Sequence, residues 1–226
     1  MLILISVAIA PGLALFCFFY LRNQMATEPR KTLLQTFIYG AILTFPIMFL
    51  QYVFKEEQVF SSPIIQDVFF SSVIEEFFKW LILILLIYHH VEFDDPYDGV
   101  LYGVAVSLGF ATIENIMYIM SYGVHTAFLR AILPVSSHAL LGVLMGYYLG
   151  KAKFSKMNNS YQLRFMALFA PMLLHVLYNM IFTSQQNWVY FMIPFMLFLW
   201  WFGLRKVKQA HIALVHLIAE QKKERQ

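Results

Sequence analysis

The stretch SSVIEEFFKWLILILLIY, residues 71–88, decides the fold. Most of it is apolar enough to sit in hydrocarbon, yet Glu75, Glu76 and Lys79 interrupt it. One charged side chain at the centre of a membrane helix costs about 2.5–3.5 kcal/mol on insertion scales. Three within five residues need either a soluble setting or a function. The rest of the chain excludes the soluble setting. Of 226 residues, 60% are hydrophobic, 18% aromatic and only 13% charged, against about 25% charged in a soluble domain. The composition is that of a polytopic membrane protein.

A helix needs about 20 apolar residues to cross a bilayer. Segments at about 2–21, 33–54, 64–88, 98–120, 126–149, 161–183 and 188–204 qualify, which predicts an all-α bundle of seven transmembrane helices. The first is too long for a signal-peptide core of about 7–15 residues and no Lys or Arg precedes it, so it reads as an uncleaved span. No linker divides domains. Residues 1–204 form one membrane domain, with its core expected at about 64–183, and 205–226 form a basic tail.

Orientation follows from the basic residues of the short loops. With the N-terminus outside, the inner loops hold Arg22, Arg30, Lys31, Lys151, Lys153, Lys156 and Arg164. The cytoplasmic tail adds Arg205, Lys206, Lys208, Lys222, Lys223 and Arg225. The outer loops hold only Lys55 and Arg130. The tail is either an amphipathic helix on an anionic inner leaflet or a plain topology-setting segment. No basic, aromatic-interleaved soluble patch exists, so nucleic acid is not an expected partner. Cys17 cannot form an internal disulfide and reads as a small packing residue. In the loop HHVEFDDPYDG, His89, His90, Asp94 and Asp95 could bind a metal. The simpler expectation is Asp95 as N-cap and Pro96 at the first helical position.

Ionisable residues deep in a membrane face a bundle interior or a wet cavity. Glu75, Glu76 and Lys79 lie in the third span, Glu114 and Asn115 in the fourth, His138 in the fifth, and His175 and Asn179 in the sixth. At 1.5 Å rise per residue, the carboxylate and imidazole positions fall within roughly 9–18 Å of the outer boundary. Four successive helices thus point to one polar site, shifted toward the outer surface. Glu75 and Lys79 are i,i+4 with Glu first, the favourable order for an ion pair, and Glu76 points about 100° away. His175 and Asn179 share a face. Small residues at steps of four, Gly103, Ser107 and Ala111, then Gly142, Gly146 and Gly150, permit close helix approach.

This set is richer than helix register needs. Neither a G-x-S-x-G elbow nor HExxH is present, and Ser71, Ser72, Ser107, Ser136 and Ser137 show no marked nucleophile partner beyond His138 beside Ser137. Carboxylate plus imidazole activates water, either through a metal, as in a His₂Glu zinc set, or directly, with Glu as base and His and Asn donors on the oxyanion. The residues leave both routes open. A proton- or ion-coupled transporter also uses membrane Glu, His and Lys, but no inverted repeat or paired broken helices are visible.

The motif order is specific. EEFFK at 75–79 resembles the EExxK motif of the PrsW family of intramembrane proteases, within the CAAX-endopeptidase and bacteriocin-immunity superfamily. FATIEN at 110–115 resembles its FxxxEN motif, SHALLGVLMG at 137–146 its third and HVLYN at 175–179 its fourth, His-x-x-x-Asp/Asn. The match runs from PGLAL near Pro11 to FLWWFGLRK near Trp200. The resemblance implies site-1 cleavage of a membrane-anchored anti-sigma factor on the extracytoplasmic side of a bacterial plasma membrane. That cleavage leads to release of an ECF-type sigma factor under envelope stress. It implies Glu75 and Glu76 as the catalytic acid pair and His175 as a catalytic histidine, with Glu114 and His138 completing the site. The first Glu, Glu75, is the expected base, with Glu76 the alternative. Asn179 stands where some members have Asp, and retains a donor for the oxyanion. If a zinc ion is used, Glu75, His138 and His175 are the expected ligands. A non-catalytic immunity or scaffold member of the superfamily is the remaining alternative.

Overall fold

A computed structural model describes residues 2–22, 30–62, 64–123, 125, 127–155, 159–184 and 187–224. It contains seven helical runs among those residues and no strand. They are α1 (Leu2–Leu21), α2 (Arg30–Glu56), α3 (Ser71–Ile82, flanked by π-helical turns Ile65–Phe70 and Leu83–Ile87), α4 (Pro96–Tyr122), α5 (Ala127–Phe154), α6 (Ser160–Thr183) and α7 (Trp188–Glu224). All but α3 are long and apolar enough to cross a membrane. The exception is the run that carries Glu75, Glu76 and Lys79. Lys156 and Arg225, counted among the inner cations, lie outside the described residues.

The seven expected helices appear among the described residues, six of them long and apolar enough to cross a membrane, with two adjustments. The last helix does not stop near 204: α7 continues to Glu224, and Val207, Ala210 and Leu214 stay buried on its inner face. The fifth span contains a π-helical turn, Ala131–Val135, around Pro134. Proline supplies no backbone N–H for the α ladder, so the ladder is re-spaced there.

Helices α4 and α5 form the centre, and the other spans pack around them. They run antiparallel and touch backbone to backbone. A Cβ on Gly146 would lie 1.8 Å from the Gly99 carbonyl oxygen, and one on Gly103 2.2 Å from that of Gly142. The small-residue steps of four are thus the two facing ridges of one helix pair. Helix α2 shows the membrane pattern: Thr36, Gly40 and Thr44 turn inward, while Ile38, Ile42, Phe45 and Phe49 face outward. Cys17 is exposed on α1, contrary to the packing role expected of it, because most of that helix faces outward. Gly146→Ala should cost about 1–3 kcal/mol through overpacking. The check is a thermal unfolding curve in detergent. Gly203→Ala, whose Cβ meets only the movable Leu140 Cδ2 at 2.8 Å, is expected to shift it less.

The loop before α4 is capped as expected. Asp95 accepts the backbone N–H of Tyr97 (2.6 Å) and Asp98 (3.0 Å), and Asp98 accepts those of Asp94 and Asp95 (both 2.9 Å). Asp94, Asp95 and Asp98 cluster, without His89 or His90. Burial, then the Asp98 charge, pushes the Asp95 carboxyl up to about 7. The folded chain thus holds a proton that the unfolded chain releases at ordinary carboxylate pH, so stability falls as pH rises toward 7. Asp95→Asn keeps the cap and removes this slope. Its unfolding midpoint is expected to gain on wild type more at pH 8 than at pH 5.

Candidate active site

The polar residues of four spans meet in one buried cluster. Helix α3 projects Glu76 and Lys79 inward, both fully buried, and Glu75 beside them. Lys79 Nζ lies 2.8 Å from Glu76 Oε1 and 3.7 Å from Glu75 Oε2. The i,i+3 pair is therefore the tight one, not the i,i+4 pair that the spacing favoured. The ammonium also sits 4.2 Å from the Phe110 ring centroid and 3.2 Å from His138 Nδ1.

From α6, His175 places Nδ1 2.9 Å from Glu76 Oε1 and Nε2 4.0 Å from Glu75 Oε2. Its ring stands at a right-angled 5.1 Å from that of His138. An ionised carboxylate only accepts, so Glu76 Oε1 accepts the Nδ1–H of His175, whose Nε2 faces Glu75. Glu114 of α4 lies one layer out: its Oε2 is 3.2 Å from His138 Nε2. All the expected residues except Asn179 join this chain. Asn179 donates instead to Ser72 Oγ (2.9 Å), and Ser72 donates to the Val68 carbonyl (2.6 Å). Ser137 donates to the Pro134 carbonyl (2.8 Å) and not to the neighbouring imidazole.

Two partners were not expected. Gln51 of α2 donates to Glu75 Oε1 at 3.1 Å. Arg130, assigned to an outer loop, is buried in α5 and lies 3.3 Å from Glu114 Oε1. A lone amide in the second span was the only signal for Gln51. For Arg130 it was membership in an otherwise apolar run.

Glu75 Oε2 and Glu76 Oε2 are buried with no hydrogen-bond partner in the protein. Buried acceptors of this kind call for a water or an ion. Donor atoms of Glu75, Glu76, His138 and His175 all lie within 4.8 Å of one another. Two carboxylates and two imidazoles are a donor set suited to zinc, so these residues fit a metal. Glu76 joins the set expected from the sequence.

Residues 28–202 match the PrsW family intramembrane metalloprotease. The chain belongs to the PrsW family. It is 50% identical to Protease PrsW of Bacillus subtilis (strain 168) over 93% of this chain and 96% of that protein. Identity to Protease PrsW of Geobacillus kaustophilus (strain HTA426) is 48%, over 92% of each chain. Protease PrsW of Clostridioides difficile (strain 630) is 32% identical over 83% of each. No solved structure matches. The chain is a multi-pass membrane protease, its substrate is a protein, and the transporter and scaffold alternatives fall away.

Proposed function

We propose that this PrsW-family protease performs site-1 cleavage of a membrane-anchored anti-sigma factor in a bacterial plasma membrane. Its N-terminus is outside and its tail cytoplasmic. Glu75 Oε2 takes a proton from water, and the water oxygen attacks the scissile carbonyl. The amide C–N bond then breaks, and the proton passes to the leaving amine. The observation that carries this reading is the buried Glu75 Oε2, which accepts no hydrogen bond from the protein and faces His175 Nε2. Glu76 is less suited to be the base, because Lys79 and His175 already engage it. It acts as the ionised anchor that orients His175. Asn179 has a second amide hydrogen for the oxyanion.

Glu75, Glu76, His138 and His175 would hold a divalent metal such as zinc, which when bound supplies Lewis-acid polarisation of water and carbonyl oxygen. One observation favours a second, metal-free reading. Lys79 already supplies a cation among the same donors, 2.8 Å from Glu76 and 3.2 Å from His138. Co-expression with an anti-sigma factor of the same genome tests the proposal, with a chelator added to purified enzyme. Wild type is expected to process the substrate. Processing that survives exhaustive chelation would leave the Lys79 route, and failure to process any membrane-anchored anti-sigma factor would overturn the assignment of substrate.

A further inference from the structure

Arg130 is the buried charge that the proposed chemistry leaves unused. A guanidinium in an otherwise apolar span is costly to bury, and its contacts are specific. Nε donates to Asn115 Oδ1 at 3.0 Å, Nη2 lies 3.3 Å from Glu114 Oε1, and the guanidinium carbon stands 3.9 Å from the Tyr118 ring centroid. Asn115 in turn donates to the Ala8 carbonyl of α1 at 2.8 Å. Eight α-helical steps would leave Arg130 and His138 about 80° apart around α5. The π turn Ala131–Val135 between them takes up one residue, so the eight steps turn about as far as seven, within ~20° of alignment. Both side chains consequently reach the same carboxylate: Glu114 Oε1 is ion-paired with Arg130, without a hydrogen bond, and Oε2 meets His138 Nε2.

The partners also fix the His138 ring. Lys79 has only hydrogens to donate and ionised Glu114 only lone pairs. A neutral His138 between them carries its proton on Nε2, toward Glu114 at 3.2 Å. Its Nδ1 lone pair then points to Lys79 Nζ at 3.2 Å and into the carboxylate cluster. A carboxylate that orients an imidazole needs its own anchor.

We propose that Arg130 is a positioning residue for catalysis: through Glu114 it holds His138 as the Nε2–H tautomer, with Nδ1 aimed at the Glu75–Glu76–Lys79 cluster. This rests on that cluster being the reacting centre. Loss of such an outer partner costs roughly 10–100-fold in activity.

The test has two readouts. In the first, Arg130→Met is expected to cut kcat at least about tenfold with KM within about twofold. Arg130→Lys, which keeps the charge but not the fork, is expected to fall between it and wild type. In a Glu114→Gln background Arg130→Met should add little, because both act on one imidazole. Rates are compared at temperatures where each variant is folded by thermal unfolding. In the second, nitrogen-15 spectra of histidine-labelled protein locate the His138 signals by difference against His138→Gln. Wild type is expected to show protonated Nε2 and bare Nδ1, and Arg130→Met a mixture of tautomers. Should Arg130→Met not accumulate, Arg130→Lys is read in both assays. A wild-type kcat in the Arg130 variants, full additivity with Glu114→Gln, or an unchanged His138 spectrum would each overturn the inference. A wild-type enzyme that cleaves no anti-sigma factor would instead sink the substrate assignment, and the spectra would still decide the role of Arg130.

Discussion

Glu75→Gln is expected to lower kcat for substrate cleavage by about 100- to 10,000-fold, the contribution of a positioned general base. The fold should survive. Gln retains a carbonyl oxygen to accept from Gln51, whose amide donates to Glu75 Oε1 at 3.1 Å. The lost atom is Oε2, which accepts no hydrogen bond from the protein and lies 3.7 Å from the Lys79 ammonium. Glu76→Gln should differ in kind. It weakens the 2.8 Å contact to Lys79 and the 2.9 Å contact to His175 together, so stability falls with activity. Initial rates and unfolding curves for both variants separate the two roles. If Glu76→Gln abolished cleavage while Glu75→Gln retained it, the base would be Glu76.

Lys79→Met is expected to destabilise the protein by about 3–5 kcal/mol, because removing one partner of a buried pair strands the other charge. Lys79 and Glu76 are fully buried, and Glu75 stands 3.7 Å from the same ammonium. Met fills a similar volume, so the loss is electrostatic rather than a cavity. The double variant Glu76→Gln with Lys79→Met should recover part of it, since no stranded carboxylate then remains at 76. Thermal unfolding in detergent checks both. A Lys79→Met midpoint equal to that of wild type would show that His175 alone neutralises Glu76.

Much of this architecture was legible in the sequence, for a physical reason. Apolar run length marks a span directly, so the seven helices and the meeting of Glu75, Glu76, Glu114, His138 and His175 followed from counting and depth. What escaped depends on rotation about a helix axis and on side-chain reach. Lys79 chose Glu76 over Glu75 because its long side chain reaches either, and only the packing of α6 brings His175 to the Glu76 side. A cation near a helix end usually lies in water, so the sequence alone puts Arg130 in a loop. Its burial needs the π turn, for which Pro134 was the one visible cue. The π turns flanking α3 carry no such cue. Asn179 shares the His175 face as read, yet its partner Ser72 lies on another helix and so outside any spacing rule.

The central claim is that the buried carboxylate–imidazole cluster hydrolyses a peptide bond of a membrane-anchored substrate. The most direct test places purified enzyme and an anti-sigma factor from the same genome in one liposome and sequences the products by mass spectrometry. The expected result is one cut in the substrate's membrane-proximal extracytoplasmic segment with wild-type enzyme, and intact substrate with folded Glu75→Gln. Equal cutting by the two forms, or no cut by wild type, would contradict it.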